Sequence, residues 1–394
     1  MPLAFLHGVE IQEIDVGPRP IPTVKSSVIG IVGTAPDADA AVFPLNTPVL
    51  IAGSRLEAAK LDLIGTGLGT LPKALDGIFD QAGAMVVVIR VAEGVDDAAT
   101  LSNVIGGVNA GTDAYEGVHA LLASESVVHV TPRILIAPGF TSEASVVSEM
   151  IGIADQMRAV IIADGPNTTD ATAITYRDGF GSARVYVVDP QVKVWDTVAN
   201  AEAVEPASAR IAGVISKSDN DRGFWWSPSN REIYGIIGTA RAIDFALGDT
   251  NARANYLNEN EVATIIRKDG YRLWGNRTCS SDPKWAFLNV RRTADMINES
   301  IQVAHMWAVD RNITKTYLED VLEGVNDYLR HLKAQGAIIN GQAWADPELN
   351  TPDQISQGIV YIDFDFTPPY AAEHIVFRSQ LTDGYLTEVL PESA

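Results

Sequence analysis

The chain has 394 residues, 46% hydrophobic and 20% charged, with 29 basic against 50 acidic side chains and a formal net charge of -21. That is enough for two or three domains and a large core, and its acidity argues against nucleic acid or an anionic membrane as partner, since both reward clustered Lys and Arg. The one cysteine, Cys279, rules out an intrachain disulfide framework, and no apolar run reaches the ~18 residues of a membrane span, so direct membrane insertion is not expected.

Residues 1–22 read as a strand on a leash. In HGVEIQEIDVG, Val9 and Ile11 share one face, and Ile14 and Val16 share another after a one-residue slip. The following Gly17-Pro18-Arg19-Pro20-Ile21-Pro22 cannot join a sheet. In a polyproline-type conformation it spans ~19 Å at ~3.1 Å per residue. A strand so tethered leaves edges that require covering.

From Ser26 the pattern becomes α/β. Ser27–Gly33, Pro48–Ala52 and Ala84–Val91 are apolar runs of buried-strand type, and Leu71–Ala82 has helical spacing. Arg133–Ala137, Ala159–Ala163 and Arg184–Val188 read as strands separated by helices. The first of these helices is capped by Thr141 or Ser142, and the second lies around Ala171–Gly179. This rhythm implies parallel strands with right-handed crossovers.

A further helix starts at Pro206, and ATIIRKDGYRLWG predicts a hairpin turning at Lys268-Asp269-Gly270. Two long helices follow, Lys284–Trp307 and Thr314–Ala334, the second capped by Thr314 and stopped by Gly336. Strands return around Gly336–Asn340, Gly358–Phe366, His374–Leu381 and Tyr385–Leu390. The change from alternating elements to paired helices marks a second domain near residue 280.

Little in the chain carries chemistry. The run GTGLGT at Gly65–Thr70 lacks the third glycine and preceding strand of a dinucleotide fingerprint. No histidine pair has metal-ligand spacing. Asp164, at a strand end, has no catalytic histidine segment or serine turn to serve. Trp225 and Trp226 in SDNDRGFWWSPSN could stack on a sugar, though a structural aromatic loop is the simpler reading. Lys284, Arg291 and Arg292 form a basic cluster, read either as a solvated face with an Arg291–Asp295 pair or as a docking strip for an acidic partner.

Three segments together carry a resemblance: ARVYVVDPQVKVWD, EPASARIAGVISKSDNDRGFWWSPSN and GYRLWGNRTCSSDPKWAFLNVRRTADMINESI. With HGVEIQEIDVG and SSVIGIVGTAP, they make the chain resemble, end to end, the contractile bacteriophage tail sheath proteins. The similarity is to the compact sheaths of temperate phages and R-type pyocins. It implies a non-enzymatic structural subunit, without cofactor or metal, that polymerises as stacked hexameric rings around a tail tube. The sheath contracts to drive that tube through a cell envelope.

The fold implied is α/β: a central, non-catalytic parallel α/β domain of subtilisin-like topology, a C-terminal α+β domain, and extended N- and C-terminal β-strand arms. The corresponding division is 1–22 for the N-terminal arm, 23–279 for the α/β domain (with a subdivision near 100), 280–370 for the C-terminal domain and 371–394 for the C-terminal arm. Arm contacts between subunits fall on Val9, Ile11, Ile14 and Val16, and on Ile375, Phe377, Leu381 and Leu386. The tube-facing helix is assigned Lys284, Arg291 and Arg292. Implied partners are further copies of the chain, the tail tube protein, and baseplate and tail terminator proteins. The implied location is a virion tail or phage-tail-like particle assembled in the bacterial host cytoplasm. The competing reading is an α/β hydrolase-type or carbohydrate-acting enzyme using the Trp225/Trp226 region.

Overall fold

The computed structural model describes residues 21–389. Val9, Ile11, Ile14, Val16 and Leu390 lie outside the described residues.

Apolar runs with little polar interruption make the central sheet. It comprises β1 (Ile29–Thr34), β2 (Val49–Ala52), β3 (Met85–Val91), β4 (Ile134–Ile136), β5 (Val160–Asp164) and β6 (Val185–Val188), in the order β2-β3-β1-β4-β5-β6. All neighbours are parallel except β2 with β3. Alternate side chains leave opposite faces, so Ile29, Ile31, Val86 and Val88 enter one core while Val32, Ile89 and Leu135 enter a second.

Helices cover both faces. On the first lie α1 (Leu71–Phe79) and, after the β-strands that precede it, a helix over Ser208–Arg222; on the second lies α2 (Ala144–Met157). A shorter helix, α3 (Asp170–Asp178), connects β5 to β6, and the Ser208–Arg222 helix is α4.

Beyond the sheet, β7 (Val192–Asp196) pairs with β8 (Ala201–Glu205) and β9 (Gly238–Thr239). The expected hairpin is present as β10 (Thr264–Arg267) and β11 (Tyr271–Trp274), its turn held by positive φ at Asp269 and Gly270. Two long helices, α5 (Leu288–Ala304) and α6 (Lys315–Gln335), enclose a third core. That core contains Met296, Ile297, Val325, Tyr328, Leu329 and Leu332. Thr314 caps α6 by accepting the Tyr317 N–H, and Gly336 ends it in the left-handed conformation.

The later strands shift relative to expectation. Gly336 is still a helix cap, and Ala337 and Ile338 are buried, so the strand begins at β12 (Asn340–Trp344). Its partner is β13 (Asp363–Thr367), since Gly358 has φ +80° at the end of a short helical turn. Among the described residues no strand follows Thr367; Gly384–Val389 forms 3-10 turns. Among the described residues, the strands expected at His374–Leu381 and Tyr385–Leu390 do not form over 374–389.

The glycine-rich run is a loop, as its context predicts. Asp62 anchors it by accepting the backbone N–H groups of Gly65, Thr66 and Gly67 at 2.8, 3.1 and 2.7 Å. The hydrogen bond from Gly67, first among these, holds the Asp62 carboxyl below the ordinary carboxylate range. A lowered folded-state value means this anchoring is complete above the ordinary value and fades as pH falls through the lowered one. Asp62→Ala is expected to speed proteolytic nicking of residues 62–69 several-fold at neutral pH, with the global melt little changed; equal nicking rates would show the anchor to be dispensable.

Candidate assembly surfaces

In open α/β sheets, ligands bind beyond the carboxyl ends of the strands where the winding direction reverses. Here that crevice lies between β1 and β4, and the chain's own residues close it. Thr34 N–H donates to Thr70 Oγ1 at 3.1 Å, and Thr70 N–H donates to the Thr34 carbonyl at 2.9 Å. Gly69 has φ +83°, and its Cα lies so close to the Thr34 backbone that a Cβ would collide with it. The last two residues of GTGLGT thus form a plug.

Beside it, the amino end of α4 is occupied by Asp164. Its carboxylate accepts the Ser208 N–H at 2.8 Å and the Ser208 hydroxyl at 2.5 Å, with the Thr141 hydroxyl at 3.2 Å. Burial pushes the Asp164 carboxyl upward against those donors. Asp164 and Ser208 therefore form a fully buried structural pair, closed to substrate. Thr141, expected as the α2 cap, is drawn into this cluster instead; α2 starts after Glu143 with no side-chain cap. Burial also pushes the Cys279 thiol up to about 12, which leaves it inert at neutral pH.

Trp225 and Trp226 sit in different surroundings. Trp225 packs edge-on to Phe224 at 5.1 Å and folds over Gly223, whose φ of +104° and crowding against that ring require glycine. Trp226 is half exposed beneath the Arg222 guanidinium, 5.2 Å from the ring centroid. Trp225 packs against the third core.

The basic cluster divides into unlike parts. Lys284 is exposed. Arg291 lies over Trp285 at 4.3 Å and pairs with Asp295 at 2.8 Å, the i,i+4 partner expected from spacing. Arg292 does not face outward, and its assignment as a tube-facing group is corrected. It is buried against α4, with both terminal nitrogens on the Asp219 carboxylate at 2.7 and 2.5 Å. A guanidinium committed to a buried carboxylate has no free donor fork for an external partner.

Arg292 opens a stripe along α5. One turn on, Asp295 accepts two hydrogen bonds from Arg184 at 2.7 and 3.2 Å. One turn further, Glu299 binds Arg133 at 2.9 Å and Arg158 at 3.0 Å. Thus α5 sets an ionic face toward the central sheet and an apolar face toward α6. Spacing of 292, 295 and 299 on a helix otherwise rich in apolar residues was the signal for this stripe. Its partners, 73 to 166 residues distant for Asp219 and Arg133, were not signalled.

Both ends of the described chain root on α5. The Val24 N–H donates to Ser300 Oγ at 3.1 Å, Thr23 Oγ1 meets the Tyr328 hydroxyl at 3.1 Å, and Ile21 joins the third core. At the other end, Asn289 Nδ2 donates to the Pro369 carbonyl at 3.0 Å, Tyr370 packs on Phe287, and Arg277 holds Glu373 at 2.8 Å. Beyond that anchor Ile375, Phe377, Leu381 and Leu386 are exposed, Phe377 by 90%. Ile21, within the segment expected to be the arm, is thus packed into the third core.

Three family profiles match in succession: the tail sheath protein Gp18 domain III N-terminal region over residues 26–91, the phage tail sheath protein central domain over 113–279, and the phage tail sheath C-terminal domain over 280–382. The chain is 46% identical over 389 residues to a putative prophage major tail sheath protein of Pseudomonas aeruginosa (strain UCBPP-PA14), covering 98% of this chain and 99% of that one. It is 38% identical over 394 residues to the tail sheath protein of Escherichia phage P2, covering 98% of each. Among solved structures, the helical sheath of the anti-feeding prophage in its contracted state superposes with a TM-score of 0.70 at 22% identity, over 96% of this chain and 100% of that one. The sheath complex of an extracellular contractile injection system, PVC, also contracted, gives 0.70 at 18% identity over 98% and 100%.

Proposed function

Since the chain belongs to the phage tail sheath protein family, whose members are structural subunits and not enzymes, we propose that its copies stack as six-membered rings around an inner tail tube and contract to drive that tube through a cell envelope. The observation that carries the assembly is the exposed apolar segment after Glu373. A run bearing Ile375, Phe377, Leu381 and Leu386 in water asks for a covering surface, and a sheet edge on another copy supplies one. Head-to-tail donation of such a segment builds open helices or closed rings. The N-terminal segment with Val9, Ile11, Ile14 and Val16 donates in the same way.

In this reading the α/β body, 23–279, is subtilisin-like in topology, which the largely parallel six-stranded sheet supports. The C-terminal unit, 280–370, bears on the tube, and 371–394 is the second arm. Assembly takes place in the host cytoplasm, with baseplate and terminator proteins at the two ends. The stroke is a rigid-body change between two packings, downhill from the extended lattice.

The concentrated protein is expected to form long tubes in negative stain; a small, monodisperse oligomer would refute the reading. For tube contact, Lys284 is the clean probe, since Arg291 and Arg292 hold internal carboxylates. Lys284→Glu should weaken co-sedimentation with tail tube about 10-fold, a change of ~1.4 kcal/mol, while sparing empty sheath. An unchanged affinity removes Lys284 from the interface.

A further inference from the structure

The half-exposed Trp226 is flanked by two arginines. Arg222, exposed at the end of α4, stands over the indole, and Arg231 follows five residues later on the strand-like stretch beside β11. Burial first, and the like charge of Arg222 next, hold Arg231 below the ordinary guanidinium value, with a smaller opposing pull from Asp221. Among the described residues neither guanidinium makes a hydrogen bond or ion pair. The neighbouring carboxylate Glu232 is already held, by Arg272 at 3.0 Å and by the Tyr234 hydroxyl at 2.8 Å. An accessible indole between two uncommitted arginines has the composition of an interface centre. In a chain of net charge -21 it calls for an acidic partner.

A matching element lies after β3, where residues 92–96 turn into a helix over Asp97–Ile105. The turn is tightly built. The Gly94 N–H donates to Thr100 Oγ1 at 3.0 Å, Asp96 accepts the Ala99 N–H at 2.7 Å, and Asn103 Nδ2 donates to the Ala92 carbonyl at 3.0 Å. A Cβ on Gly94 would strike Ala99, so this approach requires glycine. The scaffold sets Val95 wholly in solvent, 100% exposed, above every other large apolar side chain described before Glu373. Glu93 and Asp97 flank it. Both are exposed, and among the described residues neither carboxylate makes a hydrogen bond or ion pair.

We propose that the Glu93–Val95–Asp97 tip of one copy docks on the Arg222–Trp226–Arg231 patch of a neighbouring copy, with Val95 on the exposed indole and the two carboxylates on the two guanidiniums. The proposal rests on the polymeric reading above and adds a contact between bodies that neither terminal segment supplies. Two positive charges around an aromatic ring meet two negative charges around an isopropyl group, so charge and apolar surface match together. Both halves belong to described parts of the chain and both are exposed in it, so the contact that covers them lies between copies. Each copy carries one tip and one patch, which makes the contact head-to-tail and lets it repeat along an assembly.

The test is a charge swap. Arg222→Glu/Arg231→Glu and Glu93→Lys/Asp97→Lys chains are each polymerised without tail tube, and the critical concentration is read by sedimentation. Each pair should raise it about 10-fold or more, and the chain carrying all four changes should return to within about 3-fold of the parent. Losses that add instead of cancelling would overturn the proposal, as would an unchanged critical concentration in either pair. Should a reversed chain melt early, the neutral variants Arg231→Gln and Asp97→Asn carry the test. Each should cost about 3-fold, and the two together no more than either alone. Costs that multiply would again overturn the contact. Failure of the parent chain to form tubes strikes instead at the polymeric reading.

Discussion

Removing residues 1–20 should leave a folded chain that no longer forms tubes. The cut falls before Ile21, so the third core and the Thr23 and Val24 hydrogen bonds survive, and the melt should stay close to that of the full chain. What is lost is the segment proposed above to donate to a neighbouring subunit. The critical concentration for polymerisation should rise by more than about 100-fold, equivalent to ~2.7 kcal/mol per subunit contact. Truncation after Glu373 should act alike, because the exposed Phe377 and Leu381 go while the Arg277–Glu373 anchor remains. Sedimentation and electron microscopy read the outcome. Long tubes from either truncated chain would refute donation by that arm.

Arg292→Ala should be the most damaging single change in the body. It strands the Asp219 carboxylate in a site where both side chains are almost fully buried. Breaking a buried ion pair by removing one partner costs ~3–5 kcal/mol. The loss should appear in denaturant unfolding and as faster proteolysis at the α4–α5 contact. Asp219 also accepts the Ser26 hydroxyl at 2.8 Å, and Arg292 donates to the Ser26 carbonyl at 3.1 Å, so the entry to β1 should loosen together with the helices. An apolar replacement of both partners, Arg292→Met with Asp219→Leu, should recover much of the stability, since it leaves no unpaired charge. If Arg292→Ala melts like the parent while tube binding falls, Arg292 would return to the docking surface.

The sequence exposed most of the central sheet because its signals are local. Buried strands such as AMVVVIRV are apolar at nearly every position, and the intervening helices carry their own periodicity. Thr314 and Gly336 were readable for the same reason: a cap acts within four residues of itself. The misreadings involve distant partners. Thr141 has the chemistry of a helix cap, but Asp164, 23 residues on, recruits it. Arg292 looked solvated because nothing near it announces Asp219. His374–Leu381 has the alternation of a strand, yet a strand is completed by an edge, and periodicity does not say which molecule supplies it. The plug at Gly69-Thr70 was visible as a loop, while its closing of the sheet crevice depends on the strand order.

Val24 and Pro369 both bond α5, at Ser300 and Asn289. Asn289 and Ser300 are eleven positions apart, ~16 Å along the axis. Tension entering through one arm and leaving through the other would run lengthwise through this rod. The bonds of Arg292, Asp295 and Glu299 lie across that direction, so they bear the load in parallel, as rivets do, and none can be peeled ahead of the rest. Each body of a linked array could then turn as a stiff piece without paying out its own fold.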